Sequence, residues 1–311
     1  MIRKIDNELF VYLDSIRKDQ NISQEDLCFP IITESLYRKY LKGSVKAPLE
    51  VIEALSNRLG FRFDFFMREF SNQTYQENEL VTQFFNLTIG RNFKEAMAVY
   101  QVIIKKPIIQ KENQLFFETS VLIKRLFEKD INSFYFSKAM KSLIDFEHIL
   151  KKSTVSLAEA YGLGLLLDNV VKEEKEAIAK KLESLILTPN KVIFGNHSHV
   201  INLVALHVVK YLEKEKLYER ELLVLTHAIE ASKKNKNSYL LEYFHYFLGY
   251  CYRALGNEAL FYDHMFYCYC LYIASEDKQI IETFDYLFKK DFKTSPGLFI
   301  RDYLDKKEVS K

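Results

Sequence analysis

The 311 residues include no tryptophan, only 9 glycines and only 5 prolines. So few breakers leave little material for the tight turns between strands, which argues for long helices. Cysteine is scarce too. Cys28, Cys251, Cys268 and Cys270 form no C-x-x-C pair. With no signal peptide ahead of the first helix, they read as reduced thiols of a cytoplasmic protein. No apolar run approaches the roughly 20 residues needed to cross a bilayer, and the stretches at 163–167 and 266–274 are too short. Charge of one sign is also missing: the net charge is +2, and residues 1–70 balance 11 Lys/Arg against 11 Asp/Glu. A wholly basic nucleic-acid coat is thereby excluded, but a small basic face is not. Apolar residues are abundant at 48%, with 25 Phe and 20 Tyr to fill the spaces between packed helices, so a large helical core is expected rather than disorder.

The first 70 residues read as five short helices. Leu9, Leu13 and Ile16 recur at helical spacing, predicting a helix over 6–20 that stops at Asn21. Ser23 followed by Asp26 resembles a capping box opening a second helix, with Leu27 inward. Pro30 ends it, making Phe29-Pro30-Ile31 a turn. Thr33 caps a third helix with Leu36 or Tyr37, Tyr40 and Leu41 inward and Gly43 as its stop. Ser35, Arg38, Lys39 and Lys42 are left facing out. Within 33–46, Arg38, Lys39, Lys42 and Lys46 are opposed only by Glu34, and a local excess of this kind is what phosphates respond to. Pro48 opens a fourth helix carrying Val51, Ile52, Leu55 and Leu59, and Gly60 closes it. A fifth over 64–70 brings Phe65, Phe66 and Phe70 to the bundle.

Residues 71–79, SNQTYQENE, are almost wholly polar and read as a hinge. Beyond it, helical hairpins begin near 80, 113, 155, 197, 237 and 277, a period of about 33 to 42 residues that points to an α-solenoid. Two units are plainest, one around Gly90, Phe93 and Ala96, the other around Leu248, Gly249, Tyr252, Gly256 and Ala259. Both are similar to the tetratricopeptide pattern. Asn190, Gly195, Asn235 and Gly256 mark turns. The first helices of the pairs should form one wall suited to an extended peptide. Asn86, Arg91, Asn169, His199, Asn202, His207, Tyr243, Tyr246, Tyr250 and Arg253 stand on it with polar or aromatic tips. Against this stands the plainer reading, that the tyrosines are core and the asparagines surface or cap residues.

No G-x-x-x-x-G-K-[ST], G-x-S-x-G or H-E-x-x-H occurs, and no metal or cofactor is called for, so the chain reads as a non-enzyme. His197 and His199 lie two apart without a further ligand at suitable spacing, and Cys251, His264, Cys268 and Cys270 read as core side chains.

The residues Ile22-Ser23-Gln24, Leu27, Thr33, Tyr37, Tyr40, Gly43, Pro48 and Leu59-Gly60 resemble the helix-turn-helix pattern of the lambda-repressor-like XRE family. Leu36 and Leu41 depart from it, standing where that pattern carries polar residues. The resemblance implies that Gln24 and Thr33 touch phosphates, that Ser35, Arg38 and Lys39 face the major groove of double-stranded DNA, and that Lys42 and Lys46 hold the backbone. Such a head ahead of degenerate tetratricopeptide-like pairs is similar to the peptide-pheromone-responsive transcription regulators of Gram-positive bacteria of the Rgg, ComR, PlcR and PrgX type. That similarity implies an all-α chain with a helix-turn-helix DNA-binding domain at 1–70, the hinge at 71–79 and a repeat regulatory domain at 80–311. It implies a cytoplasmic homodimer, not membrane-bound, that binds a short linear peptide and an operator of two half-sites. The alternatives are repeats that bind a protein partner, and a scaffold whose head has lost DNA binding.

Overall fold

The computed structural model describes residues 7–188, 192–193 and 199–309. Among these, seventeen helices are joined by short turns, and the extended structure is one parallel pairing of β1 (Val155–Ser156) with β2 (Val192–Ile193). The chain is all-α, as its shortage of breakers requires. It divides into two compact units, residues 1–132 and 133–311.

The first unit opens with α1 (Glu8–Asp19), α2 (Gln24–Cys28), α3 (Glu34–Leu41) and α4 (Leu49–Arg58). Their stops and caps are local. Asn21, Gly43 and Gly60 turn the chain at positive φ. Ser23 accepts from the Asp26 N–H, and Thr33 accepts from the Leu36 N–H. The Phe29–Pro30 peptide in the turn is cis. One core holds these elements: Leu9, Phe10, Leu13, Leu27, Tyr37, Tyr40, Ile52, Leu55, Leu59 and Phe66, with Cys28 among them. Phe10 and Cys28 extend the inward set expected from spacing. Phe65, expected inside, is 39% exposed and stacks on Phe61 at 6.0 Å. It follows Asp64 on the solvent side of its helix, while Phe66 takes the buried position.

The largest departure from expectation is at 71–79. These residues are not an irregular hinge; they lie inside α5 (Phe63–Ile89), a single helix of 27 residues. Nothing in SNQTYQENE breaks a helix, since it contains neither Gly nor Pro. Thr74, Glu77, Asn78 and Val81 recur at helical spacing and are buried. Glu77 accepts hydrogen bonds from the backbone N–H groups of Ile109 (2.6 Å) and Gln110 (3.1 Å) and from Asn113 Nδ2 (2.9 Å). Its carboxylate sits at the start of α7 (Lys111–Phe127), where a negative charge complements the unpaired N–H groups of the first turn. The first hairpin is thus α5 with α6 (Phe93–Ile103), and the start expected near 80 falls within α5.

The second unit begins with α8 (Ser133–Leu143) and the one-turn α9 (Phe146–Ile149). Four hairpins follow: α10 (Leu157–Asn169) with α11 (Lys172–Leu187), α12 (Val200–Lys214) with α13 (Tyr218–Lys234), α14 (Leu241–Ala254) with α15 (Glu258–Ala274), and α16 (Lys278–Phe292) with α17 (Pro296–Val309). Their starts fall close to the expected 155, 197, 237 and 277. Asn235 closes α13 and Gly256, at φ +79°, turns between α14 and α15. Asn190 and Gly195 lie outside the described residues. Gly249 sets the closest approach: a Cβ there would stand 2.7 Å from Met265 Cε and 3.3 Å from the Phe261 carbonyl oxygen. Between α13 and α14, Glu221 is fully buried beside the Cys251 thiol.

Candidate functional site

The third helix is positioned from beneath by a buried carboxylate. Asp14 on α1, 2% exposed, accepts from Tyr37 Oη (2.7 Å) and Arg17 Nε (2.9 Å), and Lys18 Nζ lies 2.8 Å from its other oxygen. Burial alone would raise the Asp14 pKa. The hydrogen bonds from Lys18, Tyr37 and Arg17 outweigh it and hold the carboxyl below the usual carboxylate range. Phe10 wedges edge-on against Tyr37 (4.8 Å) and Tyr40 (5.3 Å). At the far end of α3, Asn7 Nδ2 donates to the Leu41 carbonyl at 3.3 Å. Leu36 and Leu41 pack half-buried against the same core, which explains apolar residues where the resembling pattern is polar. At the turn ahead of α3, Arg58 of α4 donates to the Phe29 carbonyl.

With its inner face pinned, α3 presents an outer face of Ser35, Arg38 and Lys39, followed by Lys42 and Lys46, all exposed. Thr33 is exposed with its oxygen engaged as the cap, leaving its hydroxyl proton free to donate. Gln24, the first residue of α2, is half-buried and reaches across to α3: Arg38 Nε donates to Gln24 Oε1 at 3.1 Å. Arg38 Nη2 also donates to Glu34 Oε2, one helical turn back, at 2.7 Å. Ser35, Arg38, Lys39 and Lys42 thus share the outer face of α3, Gln24 joins them through Arg38, and Thr33 and Lys46 flank the helix, Thr33 as its cap. The structure adds Glu34, which spacing alone ranked as an isolated opposing charge.

The residues expected to line a peptide wall are less unified. Asn86, exposed, and Arg91, whose guanidinium lies 4.9 Å from the Phe127 ring, belong to the first unit. In the second unit, Asn202 is 4% exposed and works as a strut. Its Nδ2 donates to the Tyr239 carbonyl (2.7 Å) and to Ser232 Oγ (3.1 Å), tying α12 to α13 and to the entry of α14. Asn169 bonds back to the Leu165 carbonyl, and its own carbonyl accepts from Ser137 Oγ. His199 is half-buried, its pKa lowered by desolvation, with the Tyr239 ring edge-on at 6.0 Å. His197 lies outside the described residues.

Tyr243, Tyr246 and Tyr250 do share one face of α14. Tyr246 is buried, and its hydroxyl donates to Asp291 Oδ2 of α16 at 2.5 Å. Tyr243 and Tyr250 are half-buried against Phe284 (4.9 Å) and Phe292 (5.8 Å). Arg253 is exposed with its guanidinium 5.1 Å from the Phe261 ring. His207 joins Asp168 at 2.8 Å, a pairing of α12 with α10 that no sequence motif announced.

No protein-family model matches the chain, and no curated protein matches it in sequence. Its fold has counterparts among solved structures. Bacillus thuringiensis PlcR, in complex with the peptide PapR7 and DNA, aligns at a TM-score of 0.52 and 17% identity, over 87% of this chain and 96% of that one. ComR from S. thermophilus, in complex with DNA and its signalling peptide ComS, aligns at 0.52 and 14% identity, over 88% and 96%. The competence regulator ComR from Streptococcus vestibularis, in complex with its signaling peptide XIP, aligns at 0.54 and 13% identity, over 90% and 96%. The chain has the fold of these regulators along nearly their full length. No described helix is long and apolar enough to cross a membrane.

Proposed function

We propose that this chain is a cytoplasmic transcription regulator that reads double-stranded DNA with residues 1–70 and responds to a short linear peptide held by residues 80–311. It acts as a homodimer, because a helix-turn-helix head reads one half-site and operators pair two. The observation that carries the reading is α3 itself: a helix anchored from below through Tyr37 and Asp14, with Ser35, Arg38, Lys39 and Lys42 exposed on its outer side. Structures of the same fold contain DNA and a signalling peptide together. Gln24, Thr33, Lys42 and Lys46 are assigned to phosphates, and Ser35, Arg38 and Lys39 to the major groove. For the peptide, Asn169, His199, Tyr243, Tyr250 and Arg253 retain exposed surface, whereas Asn202 and Tyr246 act as supports.

The test has two arms. Replacing Arg38 and Lys39 together by Ala abolishes retention of promoter DNA in a gel shift at moderate salt, while thermal unfolding is unchanged because both side chains are exposed. Unchanged retention refutes the assignment of α3. In the second arm, hydrophobic peptides encoded beside the gene are screened for stabilisation of the full chain. A second reading, in which the repeats hold a protein partner, is favoured by the filled positions of Asn202 and Tyr246. It predicts intact promoter binding with no peptide stabilising the chain.

A further inference from the structure

Arg38, an exposed cation of the head, is held by two side chains at once, Gln24 of α2 and Glu34 of its own helix. Its guanidinium offers five N–H groups in a planar fork. The edge that carries Nε is occupied, by Gln24 Oε1 at 3.1 Å and by Glu34 Oε2 at 2.7 Å on Nη2. The opposite edge, built from Nη1 and the second N–H of Nη2, is open. Two parallel donors at that spacing fit O6 and N7 of a guanine, both acceptors, and clash with adenine, whose N6 is itself a donor.

We infer that Gln24 and Glu34 are positioning residues that fix Arg38 end-on for a guanine, and that this three-residue unit supplies base discrimination to the DNA reading proposed above, on which it rests. Glu34 opens α3, where a carboxylate complements the helix dipole, and from there it also reaches Arg38. It is the one acid within 33–46, and a carboxylate near phosphates weakens non-specific attraction. The pair it forms with Arg38 is exposed, with side chains 62% and 39% accessible, so water screens it in the free protein. A duplex lying over α3 removes that water and lowers the local dielectric, which strengthens both contacts when the base is being read. Without Glu34, Arg38 is free to swing to a phosphate, which attracts any sequence equally.

The experiment uses the full-length chain. A randomised duplex library selected at low salt yields the preferred site, and affinities are then measured for that site and for versions with each guanine replaced by adenine. The wild-type chain discriminates about tenfold or more at one guanine per half-site. Glu34→Ala loses most of that discrimination and binds unrelated DNA as well as the wild type or better. Glu34→Gln, which keeps an acceptor, falls between the two, and Gln24→Ala lowers discrimination as well. Thermal unfolding of each variant confirms an intact head. Retained discrimination in Glu34→Ala, or an equal loss of affinity for every sequence, overturns the inference while leaving the DNA reading in place. A wild-type chain that retains no DNA overturns both.

Discussion

At the scale of single residues, two of the buried carboxyls, Asp14 and Glu221, are in opposite electrostatic situations. Asp14 is surrounded by donors and stays charged. Glu221 is fully buried, and desolvation pushes its carboxyl up to about 8, with the Cys251 thiol opposing this only in part and Glu213 reinforcing it. The sign of the consequence follows from linkage. A carboxyl whose folded pKa lies above its ordinary value binds its proton more tightly when folded. Its contribution to stability is complete below the ordinary carboxylate pKa and is lost as pH rises through about 8. The expected outcome is a repeat unit that unfolds at progressively lower temperature as pH rises from the ordinary carboxylate range to about 8 and levels off beyond it, measured by thermal denaturation at steps of about one pH unit. Glu221→Gln, isosteric and without a titrating proton, should flatten that dependence and be the more stable form at pH 9. A Glu221→Gln chain with the wild-type pH profile would show that the buried acid is not its source. Neither Asp14 nor Glu221 stood out in the sequence, because hydropathy patterning treats an acid as outward-facing and carries no record of which partner awaits it.

At the scale of elements, what was legible depended on whether a signal was local. The caps Ser23 and Thr33 and the left-handed turns at Gly43 and Gly60 act within a few residues, so helices α1 to α4 could be bounded from sequence. The starts of α7, α10, α12, α14 and α16 were also readable, since each follows a short break in an apolar helical period. The middle of α5 was not. Its inward residues Thr74, Glu77 and Asn78 are polar because they serve other polar groups, the N–H groups at 109–110 and Asn113 among them. A polar stretch with long-range partners has the same composition as a solvated linker. The distinction is measurable. Gln76 is exposed, so Gln76→Pro perturbs only the backbone; it removes a helical hydrogen bond and crowds the preceding turn, costing about 3 kcal/mol or more. A corresponding fall in thermal stability is expected, whereas a flexible connection would accept the proline without loss. The same limit applied to the wall expected to hold a peptide, where the aromatic spacing of Tyr243, Tyr246 and Tyr250 was plain but which ring would be sealed by α16 was not.

At the scale of the whole molecule, the proposed function requires that peptide and DNA report on one another. A peptide that changes DNA affinity by some factor must have its own affinity changed by the same factor, because both belong to one thermodynamic cycle. Titrating a labelled peptide into the full chain with and without operator DNA is expected to show that reciprocal shift in dissociation constant. Equal peptide affinities in the two conditions would mean that the repeats and the head act independently. Under the proposed function, helix α5 would give this coupling a mechanical character. Its 27 residues make a shaft about 40 Å long, joined at one end to the packing of Phe66 and at the other to the first hairpin. A string between two bodies transmits only tension, but a shaft transmits tilt and torque. A tilt of about 10° over that length displaces its far end by roughly 7 Å, about two base-pair steps along a duplex. Under that proposal the polar run at 71–79 belongs to a lever arm inside the first unit, and its stiffness would set how faithfully a small rearrangement at one end becomes a change of register at the other.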